Sequence, residues 1–137
     1  MLRTLLASAA ITVMAAGAAL PAAHAVNKVV AGDQDMSNGI ISAREVTAAQ
    51  NGWLVVHRTD GTKPGPVVAH APLRAGANTD VAAILTEPAA KGDKFMLMIH
   101  SEDGGTQTGI FEHTLGAKDD GPIKPGGKLV MQIVSAK

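Results

Sequence analysis

The sequence contains no cysteine. That excludes disulfides, thiolate zinc sites, blue-copper centres, iron–sulfur clusters and a lipidated N-terminal cysteine. Aromatic residues are almost as scarce: one Trp, two Phe and no Tyr in 137 residues. Trp53, Phe95 and Phe111 are too few for the stacking platforms that hold single-stranded nucleic acid, or for an aromatic stripe against sugars. Neither sign of charge dominates, because 12 Lys and Arg offset 12 Asp and Glu. A nucleic-acid binder normally shows a basic face and a high pI, so nucleic acid is not an expected partner. Long helical periods are missing too. The Ala-rich pieces at 46–49, 81–83 and 88–90 are too short to hold as independent helices. What is present is 46% apolar and only 18% charged residues, a composition that folds. The length suits one ordinary domain.

Residues 1–25 read as a signal peptide. Arg3 supplies the positive start, and residues 5–20 form an Ala, Leu, Ile, Val and Met run. Pro21 breaks that run, and Ala23-His24-Ala25 offers the small residues a signal peptidase requires. The run is shorter than the ~20 apolar residues of a spanning helix. Cleavage after Ala25 would leave one domain, 26–137, in the periplasm or the medium. No later apolar run exceeds a strand, so no membrane span is expected after cleavage.

The body alternates with period two and is punctuated by Gly, Pro, Asn and Asp. This predicts strands at 40–47, 53–57, 66–70, 78–85, 95–100, 109–114 and 128–134, with a weaker one at 27–31. Seven or eight short strands in one domain fit an all-β, two-sheet antiparallel sandwich, immunoglobulin-like in outline. A small closed barrel is the alternative. The expected core is Ile41, Val46, Trp53, Val55, Val81, Leu85, Phe95, Leu97, Ile99, Leu129 and Ile133, with Trp53 as its one large anchor.

Within this pattern lies a repeat. Leu54-Val55-Val56-His57-Arg58-Thr59-Asp60-Gly61 matches Leu97-Met98-Ile99-His100-Ser101-Glu102-Asp103-Gly104. The likeness runs on through Thr62-Lys63-Pro64-Gly65 and Thr106-Gln107-Thr108-Gly109, to His70 and His113. Each copy reads as a β-hairpin: a strand, an Asp-Gly turn and a returning strand. All histidines after residue 25 fall in these copies. One reading has two hairpins sharing a turn recipe, with rim histidines holding loop backbone. The other makes His57, His70, His100 and His113 a metal site. Imidazole without thiolate suits copper(II), zinc(II) or nickel(II), and Met96 and Met98 on the strand face of His100 would suit copper(I). Methionine at alternating strand positions also fills cores.

Other motifs fail. Asp33-x-Asp35-x-Ser37 lacks the glycine and the glutamate of a calcium loop, where Asn38 and Arg44 stand instead. The stretch 121–128 does not complete a phosphate loop, and no G-x-S-x-G elbow occurs. Ser101 neighbours His100, but adjacent strand residues face opposite ways, the wrong geometry for a nucleophile and its base. Glu102, Asp103 and Glu112 read as solvated turn acids rather than a hydrolase pair.

Several segments carry a family resemblance: Gly52-Trp53-Leu54-Val55-Val56-His57, Lys63-Pro64-Gly65-Pro66-Val67-Val68, Pro72-Leu73 and Gly76-Ala77-Asn78-Thr79-Asp80-Val81. The series continues with Leu97-Met98-Ile99-His100, Gly109-Ile110-Phe111-Glu112 and Asp120-Gly121-Pro122-Ile123. Together they span about residues 34–135. The chain resembles a domain family of unknown function found in exported bacterial proteins and in surface proteins of halophilic archaea. That resemblance implies an extracytoplasmic β-sandwich and carries over no catalytic residue. Pro125-Gly126-Gly127-Lys128-Leu129-Val130-Met131 is also similar to the closing strand of periplasmic copper chaperones, but Leu129 stands where their ligand histidine belongs.

The sequence thus leads to an exported, non-catalytic module that binds a protein or small ligand. The alternative is a periplasmic metal-binding protein that takes copper or zinc through histidine and methionine. A hydrolase ranks third.

Overall fold

The computed structural model describes residues 26–137. The signal-peptide reading of 1–25 lies outside the described residues. Seven strands form among them: β1 (Lys28–Val30), β2 (Ile40–Ala48), β3 (Gly52–Thr59), β4 (Pro64–Leu73), β5 (Gly76–Ile84), β6 (Lys94–Ser101) and β7 (Met131–Ser135). A single 3-10 turn at Pro125–Gly127 is the only helical piece described. Two antiparallel sheets result, ordered β1-β2-β5 and β4-β3-β6-β7. This is the expected immunoglobulin-like sandwich and not a closed barrel.

The strands form where alternation is cleanest. Turn residues separate them for local reasons. Asp60 Oδ1 accepts the Thr62 N–H, and Gly61 takes φ +101, which closes the β3–β4 hairpin. Asn78 holds the crossing from β4 to β5 by bonding both the N–H and the carbonyl of Arg74. Between the sheets lies the main core, built from Ile41, Ala43 and Val46 of β2, Leu54 and Val56 of β3, and Phe95, Leu97 and Ile99 of β6, with Met36 and Val134. Each of these side chains larger than alanine contributes about 1.5–3 kcal/mol when fully buried.

Three expectations are corrected. Residues 109–114 are not a strand: the segment pairs with no sheet. β7 already occupies the position beside β6, so no ladder is open to a returning strand. The second repeat copy is therefore not a hairpin; only the first is. The core list also changes. Trp53 and Val55 are buried, but outside the inter-sheet cluster. Odd-numbered positions of β3 face the far side of the four-stranded sheet, whereas Leu54 and Val56 face the other sheet. Leu129 and Ile133 are only half-buried, because they lie on or before the edge strand β7.

Candidate functional site

The two repeat copies meet strand to strand. β3 and β6 are antiparallel neighbours, with Trp53 opposite His100, Val55 opposite Met98 and His57 opposite Met96. Val55 and Met98 are also equivalent residues of the two copies. The pairing therefore has a local two-fold axis through that central pair. His57 and His100 each stand two residues beyond it, one on each side, so they occupy one face and lean toward each other. The outer face of the four-stranded sheet thus carries Trp53, Val55, His57, Met96, Met98 and His100, all buried.

Burial there requires a cover, and residues 102–124 provide it. Phe111 and His113 alternate toward the sheet, while Ile110 remains half-exposed at 52%. The Phe111 ring packs against Trp53 at 5.6 Å and His70 at 4.6 Å between centroids. Acidic side chains tie this irregular segment down. Glu102 accepts the Trp53 indole N–H at 2.6 Å and the Gly109 N–H at 3.1 Å. Glu112 accepts from Thr106 and Gln107, and Asp120 accepts the Glu112 N–H. These bonds replace the ladder that the segment lacks.

Three imidazoles come together beneath the cover. Their exposures are 2% for His57, 0% for His100 and 8% for His113. Ring centroids are 5.4 Å apart for His57 and His100, 4.7 Å for His100 and His113, and 6.3 Å for His57 and His113. His70 stands apart on β4, exposed, with its ring against Phe111 and Trp53.

The hydrogen bonds fix the ring protons. Nδ1 of His57 lies 2.7 Å from the Gly65 carbonyl oxygen. Nδ1 of His100 lies 2.6 Å from that of Asp120, and Nδ1 of His113 lies 2.9 Å from that of Asp119. A carbonyl only accepts, so every Nδ1 donates and carries its ring's proton. The Nε2 atoms of the neutral rings are then bare acceptors. Yet Nε2 of His57 and Nε2 of His100 face each other at 3.3 Å. Their three polar contacts need three protons, and two neutral imidazoles hold two. A shared proton or a cation between the nitrogens would make the contact favourable.

A third proton is opposed by the surroundings. Burial pushes the His57 imidazolium down, partly offset by the Gly65 carbonyl, and His113 adds to the fall. Burial acts more strongly on His100, which drops to about 3 despite the Asp120 carbonyl. Both rings are neutral at ordinary pH.

Of the four histidines named from sequence, the structure brings His57, His100 and His113 together and leaves His70 apart. Among the described residues, no group of three or more His, Asp or Glu side chains is arranged to hold a metal ion. His57 and His100 form a two-nitrogen pair, with His113 adjoining. Sequence reasoning missed Phe111 as cover, whereas its reading of histidines that hold loop backbone matches the Nδ1 contacts to the carbonyls of Gly65, Asp119 and Asp120, with the rings buried rather than at a rim. Alternation at 109–114 did mark which side chains turn inward. Nothing in the sequence marked the left-handed backbone of Asp120, at φ +43.

Residues 27–137 match the family described as "Domain of unknown function (DUF7282)". The chain belongs to that family. No curated protein and no solved structure matches the chain. In this member of the family, no helix among the described residues is long and apolar enough to cross a membrane.

Proposed function

We propose that this domain is an exported, non-catalytic binding module whose ligand is a first-row transition-metal ion held by Nε2 of His57 and Nε2 of His100. One observation carries the reading: two buried imidazoles donate through Nδ1 to backbone carbonyls and present their bare Nε2 atoms to each other at 3.3 Å. Nitrogens bound at ~2.0–2.1 Å in a tetrahedral site lie roughly 3.3–3.4 Å apart. A metal ion therefore supplies the missing positive charge with the rings where they are. Donation of the other ring nitrogen to a carbonyl is also how ligating histidines are held. Zinc(II) and copper both accept such donors. The export half of the proposal rests on Arg3, the apolar run at 5–20 and Ala23-His24-Ala25.

Calorimetric titration of the purified protein with zinc(II), copper(II) and, without oxygen, copper(I) tests the binding. We expect micromolar or tighter binding of at least one ion, and its loss in the His57→Ala/His100→Ala variant. Millimolar binding only, or binding that the variant retains, refutes the site. Mass spectrometry of protein secreted by an expressing bacterium tests export: the chain should begin at Val26.

A further inference from the structure

We infer that the site selects copper(I), with the Met98 thioether as third ligand beneath the histidine pair; this rests on the reading of that pair as a metal site. The two-fold axis relating the repeat copies passes between Val55 and Met98. The histidines flank that pair on the same face, two residues to either side, with their Nε2 atoms 3.3 Å apart. Of the two central residues, only Met98 carries a donor atom. It is 1% exposed, yet it lies outside the inter-sheet core, on the histidine face. Met96 is displaced along β6, opposite His57, and Met131 sits beyond Met98 on the edge strand, 40% exposed. Met98 is thus the methionine that the register places under the pair.

The chemistry of this donor set selects the ion. Thioether is a soft ligand, and with imidazole it favours copper(I) over zinc(II). All three donors are neutral. An ion taken into an apolar, covered site without a charged ligand is less costly to desolvate when it bears a single charge. Trp53, Val55 and Phe111 supply the apolar surround.

The test uses copper(I), supplied anaerobically against a chromophoric chelator, with zinc(II) titrated in parallel. X-ray absorption of the copper(I) protein should show one sulfur scatterer with two imidazoles. Met98→Leu should remove the sulfur signal and weaken copper(I) by roughly tenfold or more, while zinc(II) changes by less than about threefold. Met131→Leu should leave both unchanged. A copper(I) protein with nitrogen scatterers only, or a Met98→Leu protein that keeps full copper(I) affinity, overturns the role of Met98 while the histidine pair stands. If His57→Ala/His100→Ala leaves copper(I) binding intact, the pair itself fails and this inference fails with it. The absorption measurement needs only the unmutated protein, so it decides the matter even if Met98→Leu folds poorly.

Discussion

Acid should destabilise this domain well above the range in which carboxylates titrate. His100 is held neutral to about 3 in the fold, against an ordinary value of 6.5. As pH falls through 6.5, the unfolded chain takes up a proton that the folded chain refuses. Unfolding is therefore favoured by acid: the contribution of His100 is fully present above about 6.5 and is lost as pH falls toward about 3. Between about pH 7 and pH 5 the loss comes to roughly 2 kcal/mol for this one residue. His57, also pushed down by burial, adds to it with the same sign. The carboxyl groups of Asp35, Glu45, Asp60, Asp93 and Glu112 are held below ordinary values of 3.8 to 4.5, so their share appears at lower pH. For a domain of this size, 2 kcal/mol corresponds to a fall of roughly 8 °C in Tm. Urea unfolding at pH 7, 6 and 5 with a chelator present, followed by Trp53 fluorescence, measures the slope. The variant His57→Met/His100→Met should lose most of that slope, and what remains comes from His70, which burial also pushes down. A wild-type midpoint that does not move, or a variant with the wild-type slope, would refute the assignment of two buried neutral imidazoles.

Three further outcomes follow from the packing. Phe111→Ala removes the ring that seats the cover, at a cost of about 1–3 kcal/mol for a half-buried aromatic. Hydrogen exchange should then accelerate across 102–124 while β2, β3 and β6 keep their protection; uniform loss of protection would contradict a separable cover. Gly52→Ala should cost about 1–3 kcal/mol and weaken metal binding, because a Cβ there would run into the carbonyl oxygen of His100. Unchanged stability by urea unfolding would show that β3 and β6 yield more easily than their pairing suggests. Leu97→Ala, which empties fully buried space between the sheets, should cost about 2–5 kcal/mol in the same assay.

The class of fold was legible because period-two alternation reports burial directly, and seven of the eight predicted strands form at or near their expected places. Two things were not legible. Trp53 and Val55 are as apolar as Leu54 and Val56, and alternation cannot say which side of a sheet is the core when both are covered. The covering segment looked like a strand because Ile110-Phe111-Glu112-His113 does alternate, and Phe111 and His113 do turn inward. What decides against a strand is that β6, beside which it would return, already has β3 and β7 on its two sides, and that is a property of the whole sheet. The Asp-Gly turns fared better: Gly61 and Gly104 both adopt positive φ, +101 and +77, in copies that otherwise diverge. His70 and His113 occupy equivalent places in the two copies, yet one lies exposed on β4 and the other is buried under the cover.

The repeat matters to the site through register. A fixed offset between the copies makes His57 and His100 equivalent, but only the pairing decides how far apart they stand. With Val55 opposite Met98, the two histidines lie four residue steps apart along the strands, one on each side of that pair. Their imidazoles share one face, and their Nε2 atoms end 3.3 Å apart. A slip of two residues in one direction would leave them only two steps apart along the strands and crowd the rings. In the other it would separate them beyond reach. A slip of one would turn the histidine of the shifted strand to the face opposite its partner's. Gly52 guards the observed register, since it sits opposite Ser101 where the backbone of His100 approaches too closely for any side chain. The glycine that opens β3 and the histidine that ends its apolar run are thus parts of one device: the first sets the register, and the register aims the second.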